Sequence, residues 1–246
     1  MNTFRSMIRM LILESVATTQ YKMIFLAGLP GGGKSTLLQQ LGIEDKFTNC
    51  NIDNFFEPML EPELGTKNLH NLKNNFFHFH YLRKEKLAQG QELTPEEIDG
   101  YEKAAKLNSL ERKLFNKAIK QFREQVGEVC SIGANFIIDG TAANSKRILE
   151  DKEKYEEFGY DCAMIMVDID ADTSAERNIR RGEEGGRSIH TSIIKDQGKK
   201  MPENIPIYQE AFGDNFFMVS NRGSLEDYEA AIEQIRPGVD AFMGNI

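Results

Sequence analysis

The hydrophobic pattern of the chain switches repeatedly between two periods. Short runs at 23–27, 134–138, 162–169 and 216–219 are apolar at successive positions, which is the signature of strands buried on both faces. A weaker strand pattern covers 47–52. Between these runs, apolar positions recur every three or four residues, as on one face of a helix. This spacing predicts helices over 34–42, 66–89, 95 to about 126, 144–158, 172–181, 191–200, 202–212 and 225–235. Residues 57–65 (EPMLEPELG) carry two prolines and a glycine and read as a loop. Punctuation supports several boundaries. Gly42, Gly90 and Gly159 sit where helix C-caps fall, and Thr94-Pro95-Glu96-Glu97 is a helix start with a reciprocal cap. A kink is expected near Gly100, a cap from Thr173 or Asp172 for the helix at 172, and fraying of the tail from Pro237. Strands alternating with helices give an α/β fold with a central, mostly parallel sheet flanked by helices. A long helical insertion, at about 57–130, follows strand two inside a domain spanning 21–240.

The first strand runs into residues 28–35, GLPGGGKS, which match G-x-x-x-x-G-K-[ST]. Glycines Gly28, Gly31, Gly32 and Gly33 let backbone N–H groups turn inward around phosphate oxygens, and the following helix adds its positive dipole end. Lys34 is placed to reach β- and γ-phosphates, Ser35 to ligate Mg²⁺, and Thr36 to join them in binding the nucleotide at the helix start. Asp53 and Asp139 each close a predicted strand. In an open parallel sheet, ligands sit beyond the strands' carboxyl ends, so both carboxylates are expected at the edge occupied by the phosphate loop. Asp53 there can take a proton from an attacking hydroxyl or hold Mg²⁺ through water, and Asp139 suits Mg²⁺ or its water shell. Each Asp also suits a helix cap. A glycine-rich break (Gly182, Gly185, Gly186) carries Arg177, Arg180, Arg181 and Arg187 around it, the make-up of a lid that neutralises a transferred phosphoryl group; a solvated, dipole-stabilised helix end has the same composition.

Composition narrows the partners. The 246 residues are 40% hydrophobic and 28% charged with net charge −8, which argues against a surface that coats nucleic acid. Three scattered cysteines without a C-x-x-C fit buried, reduced thiols and a cytoplasmic protein. No apolar run approaches the roughly 18 residues of a membrane span. His70, His78 and His80 lack the spacing of a metal set and read as packed or surface residues; Phe76, Phe77, Phe79 and Tyr81 read as pocket lining or core. Residues 1–20 form an amphipathic pattern, with Phe4, Met7, Ile8, Leu11 and Ile12 on one side and Arg5 and Arg9 on the other, consistent with a helix packed on the body. MNTFRSMI also resembles the head-targeting leaders of internal proteins of large tailed phages, and Ile12-Leu13-Glu14 before Ser15 resembles their cleavage site; this implies a leader and a host-cytoplasm or virion location.

Taken together, LAGLPGGGKST, Asn51-Ile52-Asp53-Asn54-Phe55, Ile137-Ile138-Asp139-Gly140-Thr141, the A-E-R ending at Arg177, the G-R-S around Arg187 and the N-R-G at 221–223 resemble the zeta-toxin-like branch of P-loop kinases. The resemblance implies ATP and Mg²⁺ as cofactors, with Lys34 and Ser35 on ATP–Mg²⁺ and Asp53 as general base. It further implies Asp139 and Thr141 in the substrate pocket, Arg177 and Arg187 on the transferred phosphoryl, a nucleotide sugar (UDP-N-acetylglucosamine in characterised members) as acceptor, and an antitoxin-like partner. The chain departs from that pattern in Asp139, where the family often has Glu, in a short segment between Arg177 and Arg187, and in a long insertion. The expected activity is transfer of the γ-phosphoryl of ATP to a hydroxyl of a small acceptor. A nucleic-acid or nucleoside kinase and a non-catalytic nucleotide-binding virion protein are the alternatives. No N-K-x-D motif supports a GTPase.

Overall fold

The computed structural model describes residues 21–244, and the expectations for the N-terminal segment lie outside them. Five parallel strands form one sheet in the order β2-β3-β1-β4-β5, with β1 at Tyr21–Gly28, β2 at Thr48–Cys50, β3 at Phe136–Asp139, β4 at Tyr160–Asp168 and β5 at Phe216–Ser220. Leu26 of β1 pairs with Asp139 of β3, and Gly28 pairs with Val167 of β4. The central strands are apolar at every position because they feed two cores. Met23, Phe25 and Ala27 face one, Ile24 and Leu26 the other.

Helices cover both faces. α1 (Lys34–Leu41) and α8 (Leu225–Met243) close one core with Leu37, Leu38, Leu41, Tyr228 and Ile232. The other core is closed by the end of α4 (Pro95–Ser131), α5 (Ser145–Glu157), α6 (Ala171–Glu183) and α7 (Thr191–Phe212). Between β2 and β3 stand three helices: α2 (Asp53–Leu64), α3 (Leu69–Ala88) and α4. They hold a third apolar cluster of their own, built on Phe56, Leu60, Leu64, Leu69, Leu72, Leu114 and Ala118.

Four local expectations are corrected. Residues 57–64 are not a loop but most of α2, which runs through Pro58 and Pro62. Each interior proline costs about 3 kcal/mol, whereas burying Phe56, Leu60 and Leu64 on one face returns about 1.5–3 kcal/mol apiece, so packing outweighs propensity. The helices expected at 191–200 and 202–212 are a single α7 through Pro202 and Pro206, fixed by buried Ile194, Met201, Tyr208 and Phe212. The tail does not fray at Pro237, because α8 continues to Met243 with Val239, Phe242 and Met243 buried. The cap of α6 is Asp170, whose carboxylate accepts from the Thr173 N–H at 2.8 Å.

Elsewhere the sequence pattern and the elements agree more closely. The Thr94–Glu97 reciprocal cap is present, and α4 runs on to Ser131 with Gly100 inside it. Phe79 of α3 occupies the space a Cβ at Gly100 would need, 2.3 Å away, so the glycine permits α3 to lie on α4. Cys50 and Cys162 are buried free thiols, pushed up to about 12 by burial, while Cys130 is half-buried. Among the described residues, no helix is long and apolar enough to cross a membrane.

Candidate active site

The phosphate-loop sequence forms the turn from β1 into α1. Gly31 and Gly33 have φ of 72° and 93°, a region that L side chains rarely adopt. Four successive carbonyls of this turn are held from outside. Ser174 Oγ donates to Pro30 O at 2.6 Å, Arg177 Nη1 to Gly31 O at 3.3 Å, Asn221 Nδ2 to Gly32 O at 2.7 Å and the Tyr228 hydroxyl to Gly33 O at 2.9 Å. Ser174, Asn221 and Tyr228 are buried. Donors from α6, from the turn after β5 and from α8 thus fix the carbonyls, and with them the conformation of the whole turn. Lys34 Nζ folds back onto Gly28 O at 2.9 Å and lies 3.6 Å from Asp139 Oδ1. Ser35 and Thr36 stand exposed in the first turn of α1.

Asp139, at the last position of β3, and Asp53, at the first position of α2, meet this turn at the carboxyl edge of the sheet. Asn51 ties them together: its Nδ2 donates to Asp139 Oδ2 at 2.9 Å, and its Oδ1 accepts from the Asp53 N–H at 2.8 Å. Burial pushes the Asp139 carboxyl above the usual carboxylate range; Lys34 opposes that shift and the negative charge of Asp53 adds to it. Asp53 itself is ion-paired with the Arg187 guanidinium, which arrives from the segment between α6 and α7.

That arginine-bearing segment is strapped down rather than loose. Asn178 pairs with both backbone groups of Ile189, accepting from its N–H at 2.9 Å and donating to its O at 2.8 Å. Ser188 forms a parallel bridge with Asn68 at the start of α3, and its hydroxyl donates to Asn68 Oδ1 at 2.9 Å. His190 stacks on His70 with centroids 5.4 Å apart and reaches Asn74 Oδ1 through Nε2 at 3.0 Å. His70 therefore sits in the contact between insertion and strap. His78 packs edge-on against Phe79, and His80 stacks on Phe76. Phe76, Phe77 and Phe79 are half-buried and Tyr81 is exposed, so they form a partly open aromatic surface of α3.

Thr141 lies on the other side of Asp139, where a cavity of about 1230 Å³ runs between α4 and α5. Ala142 beside it has a φ of 51°, and its carbonyl is held by the Tyr208 hydroxyl at 2.6 Å and Asn204 Nδ2 at 3.3 Å. Lys34, Asp53, Asp139, Arg177 and Arg187 thus converge with the glycine turn, Thr141 faces the adjoining cavity, and Arg180 points to solvent.

Residue patterns did not single out Ser174, Asn178 or Tyr228 as site-forming. Asn51, Ser188 and Asn221 were legible as members of the motifs at 51–55, 186–188 and 221–223, and Asn51 also carries a local signal, an Asx turn two residues before Asp53. Ser174, Asn178 and Tyr228 act across distances in sequence that no periodicity records. An arrangement of a glycine turn at a helix N-terminus, one lysine, two carboxylates and two arginines can bind a polyphosphate and move charge on it.

Comparison with solved structures gives the same fold. A candidate kinase from Chloroflexus aurantiacus is similar with a TM-score of 0.51 at 14% identity, over 91% of this chain and 98% of that one. A chain of the PezAT chromosomal toxin–antitoxin system of Streptococcus pneumoniae is similar with a TM-score of 0.50 at 14% identity, over 93% of this chain and 89% of that one. No curated protein matches. A family model described as "AAA domain" (AAA_33) matches residues 23–203, which cover the glycine turn, both carboxylates and the arginine strap, and the chain belongs to that family, on a five-stranded α/β fold like that of P-loop kinases.

Proposed function

We propose that the protein is an ATP-dependent phosphotransferase that moves the γ-phosphoryl of ATP to a hydroxyl of a small acceptor. The observation that carries this reading is the Arg187–Asp53 ion pair at the edge where Lys34 and Asp139 meet the glycine turn. A passive nucleotide binder needs neither a carboxylate at the acceptor side nor an arginine delivered to it by a separate segment.

In this reading the turn at 28–33 and Lys34 bind the β- and γ-phosphates. The γ-phosphoryl draws the forked donors of Arg187, with Arg177 beside it, and so frees the Asp53 carboxylate. Asp53 then accepts the proton of the acceptor hydroxyl as that oxygen attacks the γ-phosphorus. The bond to the β–γ bridging oxygen breaks and ADP leaves. The Ser35 hydroxyl and the Asp139 carboxylate are hard oxygen donors of the kind Mg²⁺ takes, and the two neighbouring carboxylates, with Asp139 held above its usual range, suit an added cation. When bound, Mg²⁺ would neutralise charge on the β- and γ-phosphates.

The zeta-toxin-like motifs support a nucleotide sugar as acceptor and an antitoxin-like partner, and they support assigning Asp139 and Thr141 to the acceptor side. Incubation with γ-labelled ATP and a panel of nucleotide sugars, nucleosides and oligonucleotides tests the reading. Label in a small hydroxylated compound is expected. Label confined to oligonucleotides would overturn the acceptor class, and ATP binding with no transfer to any acceptor would overturn the activity.

A further inference from the structure

The cavity beside Thr141 is large for a small polar acceptor, since ligand pockets are commonly about 300–1,000 Å³ and this one is about 1230 Å³. Its lining changes along its length. At the sheet edge it is polar, with Asp139, Thr141 and Gln197; along the body it is apolar, with Phe122, Val126, Ile148 and Tyr155. The buried amide oxygen of Gln197 has no hydrogen-bond partner among the described residues, although such atoms are normally satisfied. The charges around the slot are balanced, Arg123, Arg147 and Lys154 against Asp139, Glu150 and Asp151, with Arg147 already paired to Asp151 at 3.6 Å. Nothing in that balance calls for an anionic ligand.

A second observation comes from α4. Gly127 is exposed and lies one turn from the C-terminal end of this 37-residue helix, where glycine costs up to about 1 kcal/mol relative to alanine. Among the described residues no tight contact requires it, because a Cβ there would meet nothing within 4 Å, and Gly127 lines the slot.

We propose that the slot between α4 and α5 binds an uncharged amphiphile: a hydroxylated head at Asp139, Thr141 and Gln197, joined to an apolar body lying against Phe122, Val126, Ile148 and Tyr155. This rests on the reading of the Asp139 edge as the acceptor side, and it adds an apolar body to the small hydroxylated acceptor proposed there.

The test is equilibrium binding of n-octyl-β-glucoside, kept below its micelle concentration, against glucose, on the full chain without ATP. Octyl glucoside is expected to bind at least about tenfold more tightly than glucose. Gly127→Phe puts a ring at the exposed mouth of the slot and improves helix propensity, so it is expected to abolish that preference with unchanged circular dichroism and a melting temperature no lower than that of the wild type. Equal affinities, no binding of either compound, or a preference that survives Gly127→Phe would overturn the proposal. Because the readout is binding and needs no ATP, its result is separate from that of the labelled-ATP panel, which judges phosphoryl transfer alone.

Discussion

At the scale of single residues, the site depends on groups that hold other groups in place. The hydroxyl of Tyr228 and the amide of Asn221 fix the carbonyls of Gly33 and Gly32, and both side chains are buried. Tyr228→Phe is expected to cost about 1 kcal/mol in folding stability and Asn221→Ala about 1–3 kcal/mol, because each leaves a carbonyl without its donor. Both should weaken ATP binding as well, which urea unfolding and nucleotide titration would read separately. Asp139 carries the opposite tension. Burial raises its folded pKa above the ordinary 3.8, so the ionised carboxylate opposes folding. Its stabilising contribution is present below the unfolded value and is lost as pH rises through the folded one. Asp139→Asn is therefore expected to raise the melting temperature at pH 7 while abolishing phosphoryl transfer. A lower melting temperature would show that the ion pair with Lys34 outweighs the burial penalty.

At the scale of elements, packing decides where sequence punctuation ends. Strand positions, the phosphate-loop turn and the Thr94 cap were legible because their signals are local: unbroken apolar runs, glycine spacing and a four-residue box. The continuations through Pro58, Pro202 and Pro237 were not, because what holds them is the far side of a core. Phe242 shows this. It lies beyond Pro237, is buried, and has Lys22 Nζ of β1 4.8 Å from its ring centroid. Phe242→Ala is expected to cost about 3–5 kcal/mol, measured by urea denaturation, whereas a frayed tail would cost nothing.

The arginine strap was legible in composition but not in its attachment. Nothing in the spacing of Asn68, Asn178 and Ser188 shows that they meet. His190 in that strap has its pKa lowered from 6.5, first by burial and then by His70 and Lys73. The folded state therefore binds its proton less readily than the unfolded chain. The contribution of the neutral imidazole is complete above 6.5 and is lost as pH falls through that value toward the lower folded pKa. Urea unfolding from pH 7.5 to 5 should show this loss in the wild type and a smaller loss in His190→Gln.

At the scale of the molecule, the sheet edge gathers groups that are far apart in sequence. β1 supplies the glycine turn, β2 leads to Asp53, β3 ends on Asp139, and the segment after α6 brings Arg187. Parallel topology made the convergence of the glycine turn, Asp53 and Asp139 predictable from strand ends alone, but not the arrival of Arg187. The helical layer between β2 and β3 gives the fold a second role. α3 anchors the strap that carries Arg187, and α4 forms one wall of the slot next to Asp139. In the proposed function, the same insertion thus joins the donor side to the acceptor side.

The central claim is that phosphate is moved at this edge rather than merely held. Transfer from γ-labelled ATP by Asp53→Ala, measured beside its ATP affinity, tests it most directly. Transfer is expected to be abolished while ATP binding stays largely intact, in contrast to Lys34→Ala, which loses transfer through its phosphate contacts. Full transfer activity in purified Asp53→Ala protein would contradict it.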